Sequence, residues 1–155
     1  MAQQLWLLRH GEAVPHESKP DAERELTARG ERQSAAAGAA LARLGVEFAA
    51  VYTSPLVRAA GTARLACEAL NVEPEEEQLL ANGFDRDDAL ELLGRHDADA
   101  RVLVVGHEPA FSQVVHDLTG GRIDMKKGGV AAVRRHGRGG ELIVLVRPRE
   151  LKRIR

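Results

Sequence analysis

A chain of 155 residues, 44% apolar and 29% charged, is long enough to bury a core and ordinary in composition for a soluble globular protein. Its formal net charge of −1 supplies no overall field toward nucleic acid or membrane, and no apolar run approaches the ~18 residues of a membrane span. An apolar strand pattern begins almost at the N-terminus, without the long apolar region of a signal peptide, so one domain over residues 1–155 and a cytoplasmic location are expected.

Leu5-Trp6-Leu7-Leu8 is followed by Arg9-His10-Gly11-Glu12. The apolar run is too short for a helix and is closed by glycine, so it reads as a buried strand. Arg9 and His10 then fall at its carboxyl end, the edge where open α/β sheets bind ligands. Gly11 is expected to allow a sharp turn and to keep a side chain out of the site. Residues 13–26, with Pro15 and Pro20, read as a polar loop in which His16 and Arg24 are solvated. Thr27 caps a helix from about 28 to 44, with Gly45 past its end. Val46 to Thr53 reads as the second strand. Ser54-Pro55 reads as a helix start, a capping hydroxyl followed by proline at the first helical position, with the helix running to about Leu70. Arg58 lies in the first turn, near the positive end of the helix dipole, a natural place to hold an anion. Cys67 is the only cysteine, sits in an Ala/Leu-rich helical stretch with no neighbouring His, and reads as a buried structural thiol.

Glu73 to Gln78 is acidic and reads as a loop with at most a short edge strand. Asp85 to Arg95 carries a weak helical pattern. Arg101 to Val105 is a buried parallel strand that ends in Gly106-His107, and a helix from about 109 to 118 follows. Val130–Val133 and Leu142–Val146 pair as a hairpin around Gly137–Gly140. The tail, Arg147 to Arg155, holds five basic residues and one acid. The chain has only five aromatic residues and no visible stacking platform, so this tail reads as solvated rather than as a nucleic-acid patch. Alternating strands and helices give an α/β class. Strand order is not legible.

Four pieces recur in a characteristic order: the Arg9-His10-Gly11 strand end, Leu26-Thr27-Ala28-Arg29-Gly30, Thr53-Ser54-Pro55-Leu56-Val57-Arg58-Ala59, and Val104-Val105-Gly106-His107-Glu108-Pro109. With these the chain resembles the histidine phosphatase (phosphoglycerate mutase-like) superfamily, most nearly the small SixA-type phosphohistidine phosphatases; the Lys126-Lys127-Gly128 stretch resembles that group too. The resemblance implies a three-layer sandwich, a mostly parallel central sheet with helices on both faces, lacking the large inserted cap of bigger members. It implies that His10 is the nucleophile and that Arg9, Arg58 and His107 bind the phosphoryl group. It further implies a phosphorylated substrate, such as a phosphohistidine-bearing protein, and a pocket that inorganic phosphate or sulfate can occupy. Two positions depart from the superfamily pattern: His16 stands where an Asn is frequent, and Gly61-Thr62 where Gln-Thr is usual.

These residue types suit phosphoryl transfer. The reaction needs an in-line nucleophile and positive groups around the equatorial oxygens. An arginine fork binds two phosphate oxygens and keeps its charge. A neutral imidazole is a good nucleophile near neutral pH. A general acid is harder to find; Asp85, Glu77 and Glu12 are the candidates, in that order. The other histidines lack metal-ligand spacing, and there is no Gly-rich phosphate loop, so neither metal nor cofactor is implied. Two alternatives to a phosphohistidine phosphatase stand beside it: a phosphatase of small phosphomonoesters, and a non-catalytic phosphate-binding module.

Overall fold

Along the first strand, β1 (Gln4–Arg9), alternate side chains enter two separate hydrophobic clusters: Leu5 and Leu7 one, Trp6 and Leu8 the other. This two-sided burial places the strand in the middle of a sheet covered on both faces. The computed structural model, which describes residues 2–155, bears that out. After β1 come α1 (Ala28–Arg43), β2 (Ala50–Thr53), α2 (Val57–Leu70), β3 (Pro74–Glu76), α3 (Arg86–Gly94), β4 (Arg101–Gly106), α4 (Ala110–Thr119), the hairpin β5 (Val130–His136) and β6 (Gly139–Val146), and a short α5 (Pro148–Leu151).

The sheet order is β3-β2-β4-β1-β5-β6. The four strands from β3 to β1 pair in parallel, and β5 runs against both of its neighbours. One face packs on α3 and α4 through Leu92, Phe111 and Val114. The other packs on α1 and α2 through Leu41 and the small Ala37, Ala59 and Ala63, which let these helices lie close. The expected three-layer α/β architecture is therefore present, with β5–β6 as its antiparallel part.

Several local expectations need correction. The second strand is confined to Ala50–Thr53; Phe48 is buried, but against the edge of Trp6 rather than in the ladder. Helix α2 begins at Val57, not at Pro55, and Ser54 caps nothing in it. The C-terminal tail is not simply solvated: it forms α5 and inserts Leu151, 2% exposed, into the α1/α2 cluster. Gly11 has no positive φ. Its requirement is close approach, since a Cβ there would lie 2.5 Å from the Gly30 carbonyl oxygen, and one on Gly30 would lie 2.0 Å from that of Glu12. The turn after His10 thus rests backbone to backbone on the first turn of α1.

Candidate active site

Three strands deliver the site. In register, Arg9 of β1 is opposite Gly106 of β4, and Val105 is opposite Thr53 of β2. The residues that follow these strand ends, His10, His107 and Ser54, therefore leave the sheet at the same edge. Backbone bonds hold the exits together: His10 N–H donates to Gly106 O (3.0 Å) and Ser54 N–H to Val105 O (3.0 Å).

The rings of His10 and His107 stand 5.2 Å apart, centroid to centroid. His10 is almost fully buried, and its Nδ1 lies 2.7 Å from the carbonyl oxygen of Gly11. A carbonyl only accepts, so Nδ1 carries the proton and Nε2 keeps its lone pair. Burial lowers the His10 pKa to about 3; the Gly11 bond opposes this, and the positive fields of His107, Arg58 and Arg9 reinforce it. His107 falls to about 4, through burial first and then Arg58. Its Nε2 is 2.8 Å from the Ser54 hydroxyl, which also accepts from Leu56 N–H. Ser54, read as a helix cap, instead steadies a histidine.

Arg58 is buried at the start of α2. Its Nη1 donates to the backbone oxygen of Asp21 (2.8 Å), and Nη2 lies 3.3 Å from the Asp21 carboxylate. Arg24 reaches the same carboxylate from Nε (3.1 Å) and donates from Nη1 to Val14 O (2.8 Å). Arg24 is 7% exposed, so it is no solvated loop arginine. His16 stays at the surface, its Nδ1 3.8 Å from Asp21. Asp21, which contacts Arg58, carries little signal in the sequence beyond its position three residues before Arg24 in a polar stretch. Burial raises its carboxyl, but the charge of Arg58 and the hydrogen bonds from Arg24 and Arg58 outweigh this and hold it below the usual carboxylate range.

Arg9 donates from Nη1 to Met125 O (2.7 Å). Among the described residues, three buried side-chain nitrogens lack a hydrogen-bond partner: Arg9 Nε, Arg58 Nε and His107 Nδ1. Buried polar groups are paired in the great majority of cases. The exceptions fall on three of the four residues singled out by sequence, and an anion with several acceptor oxygens would satisfy them. Thr62 supports it from beneath, accepting from Gly11 N–H (3.0 Å) and donating to Arg58 O (2.8 Å), and so ties the His10 turn to α2.

The three acid candidates each make structural contacts. Asp85 is the N-cap of α3, in a reciprocal capping box with Asp88. Glu77 accepts from Arg95 (2.7 Å) and from Leu79 N–H (3.2 Å). Glu12 accepts from Thr27 (2.9 Å) and Arg29 (3.4 Å). Cys67 is buried, and burial raises its thiol to about 11, which leaves it inert at neutral pH. Among the described residues, no three His, Cys, Asp or Glu side chains group as metal ligands, and no helix is long and apolar enough to cross a membrane.

Comparison with known proteins bears on the family and the fold. The histidine phosphatase superfamily (branch 1) matches residues 5–83. An uncharacterized protein of Picosynechococcus sp. (strain ATCC 27264 / PCC 7002 / PR-6) is 33% identical over 139 residues, 84% of each chain. Among solved structures, the protein histidine phosphatase SixA complexed with tungstate superposes with a TM-score of 0.85 at 27% identity, covering 96% of this chain and 99% of its own. The alpha-ribazole phosphatase of Shigella flexneri gives 0.75 at 20% identity, covering 94% and 96%, a likeness of fold alone. The chain belongs to the histidine phosphatase superfamily. It is a phosphatase with the SixA and phosphoglycerate mutase-like fold.

Proposed function

We propose that the protein hydrolyses phosphohistidine, or a related phosphoramidate, through a phosphoenzyme on His10, in a single histidine phosphatase domain spanning residues 1–155. The observation that carries the reading is the His10–Gly11 bond, which leaves Nε2 of a neutral ring as the nucleophilic lone pair. Nε2 attacks the phosphorus while Arg9, Arg58 and His107 bind the equatorial oxygens, where charge spreads in the transition state. The bond from phosphorus to the leaving nitrogen breaks, and the departing imidazole leaves neutral if its ring was protonated beforehand. Water then attacks the phosphorus, its proton goes to solvent or to the phosphate, and His10 is released as neutral imidazole. The tungstate bound by the SixA relative is a tetrahedral oxyanion, in keeping with such a pocket.

The choice of P–N over P–O substrates rests on the carboxylates. An ester expels an alkoxide, which needs a proton from a placed acid, worth on the order of 10²- to 10⁴-fold in rate. Asp85, Glu77 and Glu12 are engaged in structural contacts, and Asp21, beside Arg58, is held in its ionised form. The test is kcat/KM for phosphoramidate and a phosphohistidine peptide against an alkyl phosphate. The P–N substrates are expected to lead by on the order of 100-fold or more. Asp85→Asn should leave their cleavage unchanged. Parity, or preference for the ester, favours a small-metabolite phosphomonoester phosphatase instead.

A further inference from the structure

A cavity of about 870 Å³ opens beside the His10 turn, between α1, the Lys126–Lys127 loop and α5. Eight of its twelve lining residues are lysine or arginine, and only Glu12 is acidic. The whole chain carries −1, so the rest of the surface is acidic overall and the positive charge is concentrated here. The walls are fixed to the catalytic turn. Gly128 N–H donates to both Arg9 O (3.0 Å) and His10 O (3.1 Å), which anchors the lysine loop. Glu12 N–H donates to Gln33 on α1 (2.9 Å). Leu151, buried against α1, sets α5, which carries Arg149, and the adjoining Lys152 in place.

The lining chemistry narrows the occupant. No aromatic side chain lines the groove, so nothing there stacks on a base, which argues against a nucleotide or nucleic acid. Most of the cations are surface side chains rather than a dehydrated cage: those of Arg29, Lys126 and Arg149 are 68%, 59% and 64% exposed. These same three already pair with carboxylates, Glu12, Asp124 and Glu150. Arg32, Lys127 and Lys152 have no ion pair among the described residues and project from three different walls. Exposed cations spread over separate segments, and already matched to carboxylates, suit an acidic protein surface better than a compact polyphosphate.

Building on the phosphohistidine reading, we infer that this groove docks the acidic surface of the phosphohistidine-bearing substrate protein and so selects macromolecular over small P–N substrates. Aspartate and glutamate side chains flanking the phosphohistidine enter between α1 and α5 while the phosphoryl group reaches His10. Charges of this kind act chiefly on encounter and on salt dependence.

The test uses Arg32→Ala, Lys127→Ala and Lys152→Ala combined. None is in the catalytic set, and phosphoramidate turnover reports that the variant is folded and active. Binding is read by anisotropy of a labelled polyglutamate peptide, with tripolyphosphate and a single-stranded oligonucleotide as competitors. Wild-type protein is expected to bind polyglutamate in a salt-sensitive way, and the triple variant about tenfold more weakly, as three exposed ion pairs suggest. The variant's kcat/KM on an acidic phosphohistidine protein falls similarly, while phosphoramidate cleavage stays at the wild-type level. Equal polyglutamate binding by both proteins overturns the inference. So does groove-dependent binding in which tripolyphosphate or the oligonucleotide outcompetes the peptide. Failure of the phosphohistidine reading is distinct: wild-type protein then cleaves no P–N substrate, whatever the peptide binding.

Discussion

Arg58 and Asp21 meet through two contacts of different kinds: a guanidinium nitrogen donates to the Asp21 backbone oxygen at 2.8 Å, and another lies 3.3 Å from its carboxylate. The backbone contact places the arginine. The carboxylate, 58% exposed, competes with any anion for the same positive charge. Asp21→Asn keeps the backbone contact and removes the competitor. Phosphate affinity is expected to rise about two- to fivefold, the scale of an exposed ion pair. Calorimetric titration with inorganic phosphate measures it; weaker binding in the variant would mean that the carboxylate orients Arg58 instead.

Thr62 is the second test of how the site is held. It is fully buried and joins Gly11 N–H to Arg58 O. Thr62→Val keeps the shape and leaves a buried N–H without an acceptor, a loss of about 1–3 kcal/mol. Urea denaturation should show that loss, with turnover reduced because the His10 turn is less firmly placed. Unchanged stability would contradict the role given to this hydroxyl.

The two histidines also set a pH dependence of stability. In the folded protein their pKa values are lowered from 6.5 to about 3 for His10 and about 4 for His107, chiefly by burial. Between pH 6.5 and 4 the unfolded chain therefore binds more protons than the folded one. Stability is fully present above the unfolded value and is lost as pH falls toward the folded ones. The urea midpoint should drop across this window. A His10→Gln, His107→Gln double variant should show a flatter profile; an unchanged slope would place the acid sensitivity elsewhere.

The residues legible in sequence share a reason. Arg9, His10 and His107 each end an apolar run, and Arg58 follows a strand closely, so local pattern puts each at or just past a strand's carboxyl end; the parallel pairing of β1, β4 and β2 then brings those ends to one sheet edge. Asp21 and Arg24 were illegible because their meaning comes from a contact across 37 residues, between a loop of surface composition and the start of α2. Ser54 misled for the opposite reason. Its local pattern, Ser before Pro, is a good cap signal, but the hydroxyl is taken by His107 from a neighbouring strand. Phe48 is apolar and buried yet outside β2, because hydrophobicity reports burial and not pairing. In the tail, Leu151 and Ile154 are the only branched apolar residues among the charges; Leu151 is buried in the α1/α2 cluster and Ile154 packs against it, a tertiary contact that so short and charged a stretch does not announce.

The most direct test of the nucleophile is to trap the phosphoenzyme. The protein is mixed with labelled phosphoramidate and quenched within its turnover time into alkaline detergent, where a P–N bond survives, and the modified residue is located by mass spectrometry. One phosphoryl group on His10 is the expected result, with no label and no turnover in His10→Ala and a folded, phosphate-binding variant to show that only chemistry was lost. Label on another residue, or near wild-type turnover by His10→Ala, would contradict the assignment of His10 as the attacking group.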